Sequence, residues 1–214
     1  MTTVRTAALI GGPASLRLLG SYAKDRRQEI QQELINTWDY YDPTEYADEV
    51  LANFPAQPGL DLWLFRPRQW KPIIRLGNLR SLIVEFPSSI GTLAADGLPA
   101  APLLSLFRLT GVNDLGVLAA SCELSHLREL VLATNDHQAV LNGLDALATC
   151  TGLRRLQLVG WRSLPQLAAA SLPVQLRSLS LEPVPVEYNL TCLVDHGLTV
   201  LSLSERPGTS VMLG

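Results

Sequence analysis

Six times between Leu79 and Leu203 the chain returns to one short pattern: a leucine, two variable residues, an apolar residue, one variable residue and a second apolar residue. The triplets are Leu79/Leu82/Val84, Leu104/Phe107/Leu109, Leu127/Leu130/Leu132, Leu153/Leu156/Leu158, Leu176/Leu179/Leu181 and Leu198/Leu201/Leu203. Subtracting the positions of successive first leucines gives spacings of 25, 23, 26, 23 and 22 residues. A period of about 20–29 residues is the mark of a solenoid. One coil of that length cannot bury its own leucines, whereas stacked coils share a continuous core.

The second half of each repeat carries its own register. Leucine recurs fourteen residues after the first five starting leucines, at Leu93, Leu118, Leu141, Leu167 and Leu190, and a further column follows at Leu98, Leu124, Leu147 and Leu172. Small pairs sit just behind the first column, at Ala94/Ala95, Ala119/Ala120 and Ala168/Ala169, where neighbouring coils must come close. The expected fold is therefore α/β: a solenoid with a parallel β-sheet on its concave face.

Strand alternation turns the triplet residues inward and leaves the third, fifth and seventh positions facing solvent. The candidate partner-binding residues lie on that concave face: Ile83, Glu85, Leu106, Arg108, Glu129, Val131, Arg155, Gln157 and Glu182. The apolar members, Ile83, Leu106, Val131, Val159 and Val200, either form a contact patch or pack among themselves. Trp161, with Arg162 beside it, is the best single interface anchor because Trp and Arg are enriched at hot spots; the alternative is that it fills a structural place. Arg80, Arg128, Arg154 and Arg177 make a polar column one position into four of the strands. That column is either an electropositive ladder or, more simply, a row of long stems covering apolar neighbours.

Residues 1–58 follow a helical pattern instead. Pro13 suits the first turn of a short helix reaching to about Ala23. Asp25 and Gln28 have capping-box spacing ahead of Ile30, Leu34 and Trp38, which predicts a helix from about Arg26 to Tyr40. Asp42-Pro43-Thr44-Glu45 starts another, with Asp42 as cap, Glu45 reaching back to it, and Tyr46, Val50, Leu51 and Phe54 as the apolar stripe. Residues 59–214 form the solenoid: one degenerate coil containing Leu60, Leu62 and Leu64, six repeats, and a C-terminal tail whose TSVML run suits a last strand. The helices are expected to cap the first coil, the alternative being an independent helical domain.

A net charge of −3 gives no reason to expect nucleic acid as a partner. The longest apolar run near the start, Ala7 to Ile10, is too short for a signal peptide, and no run approaches the length of about 20 residues that spans a bilayer. The expectation is a cytoplasmic protein with no membrane partner. Cys122, Cys150 and Cys192 are widely spaced and read as reduced, buried thiols. The chain has no GxxxxGK[ST], GxSxG, HExxH or CxxC motif. His126, His137 and His196 read as turn or surface residues without identified partners. No enzyme activity, cofactor or metal is expected.

The repeats resemble the leucine-rich repeat family, LxxLxLxxN, over about two-thirds of the chain. They depart from it at the ninth position, occupied by Pro87, Val112, Asn135, Trp161, Val184 and Arg206, of which only Asn135 conforms. The backbone groups of those turns must be satisfied in another way. The stretch EIQQELINTWDYYDPTEYADEVLA, with Trp38, Tyr40-Tyr41, Asp42, Tyr46-Ala47 and Val50-Leu51, resembles the HEAT-like helical repeats ahead of leucine-rich repeats in bacterial, especially actinobacterial, NACHT-type NTPases of the STAND class. That resemblance implies a sensor region that binds a protein or other macromolecular trigger, in defence or signalling. It equally admits an autoinhibitory scaffold whose partner is a parent ATPase domain, or a stand-alone adaptor. No catalytic residue is carried over.

Overall fold

The computed structural model describes residues 2–57, 59–73, 75–85, 104–111, 114–116, 126–136, 138–164, 167, 172–182, 193 and 197–204. The alternating leucines form strands β1 (Leu60–Leu64), β2 (Leu79–Val84), β3 (Leu106–Thr110), β4 (Glu129–Ala133), β5 (Arg155–Val159), β6 (Ser178–Glu182) and β7 (Val200–Leu203). They make one α/β sheet of seven parallel strands in chain order. The chain divides into two compact units, one holding the described residues up to 82 together with Leu104, the other residues 83–85 and the described residues from 105 onward. The division falls within β2, so β1 and the degenerate coil belong with the helices and not with the regular repeats.

In the first unit the helices are α1 (Thr2–Ile10), α2 (Gly12–Tyr22), α3 (Gln28–Thr37), α4 (Pro43–Glu49) and the short α5 (Trp70–Ile73). α1 is a helix the sequence pattern did not mark; Val4, Ala7 and Ala8 bury its one apolar face. α4 begins as expected, with the Asp42 carboxylate accepting from the Thr44 and Glu45 amides at 2.9 and 3.0 Å. The return bond from the Glu45 side chain is not among the bonds of the described residues. The capping box at α3 does not form. Asp25 Oδ1 instead accepts the Arg27 amide at 3.0 Å and its carboxylate pairs with the Arg27 guanidinium, leaving Arg27 as N-cap without a side-chain cap bond.

Irregular polar ties hold this unit together around its apolar core of Leu19, Leu34, Tyr46, Val50, Leu51 and Trp70. The Tyr46 hydroxyl donates to Leu34 O at 2.7 Å and lies 2.7 Å from Thr37 Oγ1, so a buried phenol finds the partner it needs. The buried Asn78 amide donates to Leu51 O and Phe54 O at 3.1 and 3.0 Å, satisfying carbonyls at the end of a short helical turn. Asp39 faces both Arg66 and Arg68 at 3.3 Å. These ties explain why the segment from 59 to 78 clusters with the helices.

In the second unit the registers are regular. Leu130, Leu156 and Leu179 pair in one inward row with Phe107 and Leu201, and Leu132, Leu158 and Leu181 in the next with Leu109 and Leu203. From β3 to β6 these side chains are at most 2% exposed, and burying one leucine is worth about 1.5–3 kcal/mol. Leu201 and Leu203 on β7 were expected to be inward but are exposed, because β7 ends the strand order and the described residues place no further strand against it. Of the second-half columns, Leu141, Leu147, Leu167 and Leu172 are buried. Leu93, Leu98, Leu118, Leu124, Leu190, the alanine pairs and the TSVML run lie outside the described residues.

The turns replace the missing asparagine ladder with main-chain bonds. Gly111 N donates to Ala133 O, Thr134 N to Val159 O and Gly160 N to Glu182 O, at 2.8, 2.9 and 2.6 Å. Gly160 has φ +94°, and a β-carbon there would collide with Thr134 O, so the position requires glycine. Further along, Leu115 N donates to Asn142 O and Leu141 N to Ser163 O. Asn135, the residue that matches the family asparagine, is exposed.

Candidate functional site

On β3 to β7 the positions between the leucines form three rows fixed by the same register. Leu106, Glu129, Arg155, Ser178 and Val200 make the first row. Arg108, Val131, Gln157, Ser180 and Ser202 make the second, and Thr110, Ala133, Val159 and Glu182 the third. Nine of the ten candidate residues, Ile83, Glu85, Leu106, Arg108, Glu129, Val131, Arg155, Gln157 and Glu182, fall on these strands or at the end of β2. The tenth, Trp161, lies beyond β5.

Charges within this face are matched to neighbours. Arg155 Nη1 stands 3.5 Å from Glu129 Oε2, and Arg108 Nη2 stands 3.9 Å from Glu85 Oε1. Glu182 has no cation among the described residues; its Oε1 accepts from Ser180 Oγ at 2.9 Å and from Gln157 Nε2 at 3.3 Å. Pairs of this exposure contribute at most about 1 kcal/mol to stability. They leave the Arg155 side chain 70% exposed, available to an incoming group. Arg108 Nε is buried and finds no acceptor among the described residues.

Two placements differ from the alternation reading. Val131 is 7% exposed, not solvent-facing, because its register neighbours Arg108 and Gln157 carry long stems that flank it. Trp161 is 1% exposed and belongs to the core, at the ninth position of its coil where the repeat family would place asparagine. Its Nε1 has no acceptor among the described residues. The surface neighbour is Arg162, whose Nη1 donates to Gln138 Oε1 at 2.5 Å. Ile83 and Leu106 are half-buried, and Val200 is exposed.

The arginine column has a main-chain function. Ser105 O, Arg128 O, Arg154 O and Arg177 O each accept from two successive amides of the next strand at 2.8–3.0 Å, so the column is where each new strand locks into register. Arg80 is paired with Asp61. Arg177 Nη1 turns back to Val174 O and Leu176 O at 3.1 and 3.2 Å.

Other candidates separate in the same way. Cys150 is buried, and burial pushes its thiol pKa up, which makes it a poor nucleophile. Cys122, Cys192, His137 and His196 lie outside the described residues, and His126 is exposed. Among the described residues no group of three or more His, Cys, Asp or Glu side chains is placed to hold a metal ion. No helix among them is long and apolar enough to cross a membrane.

Sequence reasoning gave no role to a depression of about 650 Å³ in the helical unit, lined in part by Tyr40, Tyr41, Glu45, Asp48 and Glu49. Reading α4 for its apolar stripe passes over the opposite stripe, where acids recur at i, i+3 and i+4. Scans against protein-family models and curated proteins give no match to this chain.

Proposed function

We propose that the chain is a non-enzymatic recognition module: a helical cap followed by a leucine-rich repeat solenoid that binds a protein partner on the outward face of its strands. The observation that carries this reading is the register of β3 to β7, which sets Glu129, Arg155, Gln157 and Glu182 side by side on one face while the leucines occupy the other. Solenoids use such surfaces for binding because the stacked strands are rigid and their outward residues are free to vary. In this reading the partner is a macromolecular trigger, and the module acts as the sensor part of a cytoplasmic bacterial NACHT-type NTPase in defence or signalling. The support for that narrower identity is the likeness of the segment from Glu29 to Ala52 to the helical repeats of those proteins.

The test is affinity capture by the 214-residue chain against a variant carrying Glu129→Lys, Arg155→Glu and Glu182→Lys. A partner retained by the native chain and lost by the variant, with unchanged circular dichroism, is the expected result. An identical set of captured proteins for both chains would remove the outward face from consideration.

A further inference from the structure

The helical unit contains a second recognition surface that the sheet face does not explain. Between α2 and α4 lies the depression of about 650 Å³, within the range of about 300–1,000 Å³ typical of ligand sites. Its walls include Tyr40 and Tyr41, and its rim carries Glu45, Asp48 and Glu49, with Arg17 as the opposing charge. Asp42 also lines it, but its Oδ1 is committed to capping α4.

The acids are placed against the interest of the helix that bears them. Glu45, Asp48 and Glu49 stand at i, i+3 and i+4, where like charges face one another and destabilise a helix. Asp48 and Glu49 also fall in the last turn, where the helix dipole favours cations, and α4 has no basic residue there. Among the described residues none of the three forms an ion pair. Arg17 does not neutralise them: its Nε turns back along its own helix to Pro13 O at 3.3 Å. The opposite stripe of α4, Tyr46 and Ala47, is fully buried, so the acidic stripe is held toward the depression by the packing of the other.

Carboxylates alone would make a solvated acidic face. Here they rim a concavity with an aromatic wall. Tyr41 is fixed by a bond from its hydroxyl to Ala7 O at 3.3 Å and by contact with the Tyr46 ring at a centroid distance of 5.4 Å. Tyr40 is 65% exposed and offers its ring to solvent. Aromatic faces beside unpaired carboxylates recognise ammonium and guanidinium groups, the ring through its quadrupole and the acids through charge-assisted hydrogen bonds.

We propose that this groove binds an arginine-bearing peptide segment of a partner protein, with Glu45, Asp48 and Glu49 holding the guanidinium and Tyr40 covering it. An arginine fits better than a lysine, because a planar guanidinium both stacks on a ring and bonds carboxylates in pairs. The site is independent of the outward sheet face, so either proposal can fail without the other.

The experiment titrates the full chain at low salt with a capped peptide of alternating glycine and arginine, its lysine counterpart, and spermine, following amide shifts by NMR. The expected shifts are confined to residues 12–17 and 40–49. A Glu45→Gln/Asp48→Asn/Glu49→Gln variant should weaken arginine-peptide binding by about tenfold or more as charge-assisted contacts are lost, and Tyr40→Ala by about twofold to fivefold as the cation–π contact is lost. Arg155→Glu should leave it unchanged. Shifts spread over other residues, equal binding by the triple variant, or spermine and the lysine peptide binding as tightly as the arginine peptide would each overturn the proposal. The shift map on the native chain decides the matter even if the triple variant fails to fold.

Discussion

The helical unit and the strand unit solve the same problem, the satisfaction of buried backbone and apolar groups, by opposite means. From β3 to β6 every coil repeats one solution: leucines in register inward, and a carbonyl at the start of each strand accepting two amides of the next. In the helical unit each tie is used once. Asn78 serves Leu51 and Phe54, Tyr46 serves Leu34 and Thr37, and Asp39 serves the pair of Arg66 and Arg68. Repetition makes the strand unit tolerant in its details and uniform in its weak points. The helical unit has few equivalent positions, so its stability rests on individual side chains.

The sharpest way to break that contrast is to truncate equivalent leucines. Leu130→Ala, Leu156→Ala and Leu179→Ala each empty a fully enclosed site in the same inward row. Each should cost about 2–5 kcal/mol, as buried Leu→Ala changes do. Because the three surroundings repeat, the costs should agree within about 1 kcal/mol of one another on that same scale. Urea denaturation measures them. A spread as wide as the whole range would mean that the coils are not equivalent in energy despite their common register.

In the helical unit the corresponding experiment is Asn78→Ala. The change leaves the Leu51 and Phe54 carbonyls without their side-chain donor in a buried setting, at a cost of about 1–3 kcal/mol for each buried acceptor left unsatisfied. Gln32→Ala, which removes only an exposed bond to Asn36, should be nearly neutral in the same denaturation experiment. Equal effects of the two would show that water replaces the Asn78 amide and that the tie is dispensable.

What was legible in the sequence follows the same division. Strand alternation placed Leu130, Leu156 and Leu179 inward, because a period of two depends only on local backbone geometry. Asp42-Pro43 marked the start of α4 for a similarly local reason. Burial of outward positions was not legible: Val131 depends on the stems of Arg108 and Gln157, which lie 23 residues before it and 26 after it. Trp161 was misplaced because alternation ends with the strand, and beyond it only the coil geometry decides which way a side chain turns. α1 was missed because Gly11 and Gly12, both at positive φ, read as a loop and hid the helix before them. The groove beside α4 escaped notice because apolar stripes draw attention to the face that packs. The face that is left over carries the recognition chemistry.

Asp25 provides the smallest and most local test of the helical unit's reliance on single contacts. Bonds from the Arg27 guanidinium and amide hold its carboxyl at about 2, below the ordinary 3.8. An acid whose pKa is lower in the folded state contributes stability that is present above the unfolded value and is lost as pH falls through the folded one. The contribution should therefore disappear between pH 3.8 and about 2. Asp25→Asn keeps an acceptor for the Arg27 amide but abolishes the titration. The variant should show a shallower loss of stability across that window and, because the pair is at the surface, only a slight change at neutral pH. Carboxyl-detected NMR should find the native Asp25 titrating below every solvent-exposed aspartate. A midpoint near 3.8 would mean that Arg27 swings free in solution, and that α3 begins without the contact that takes the place of its capping box.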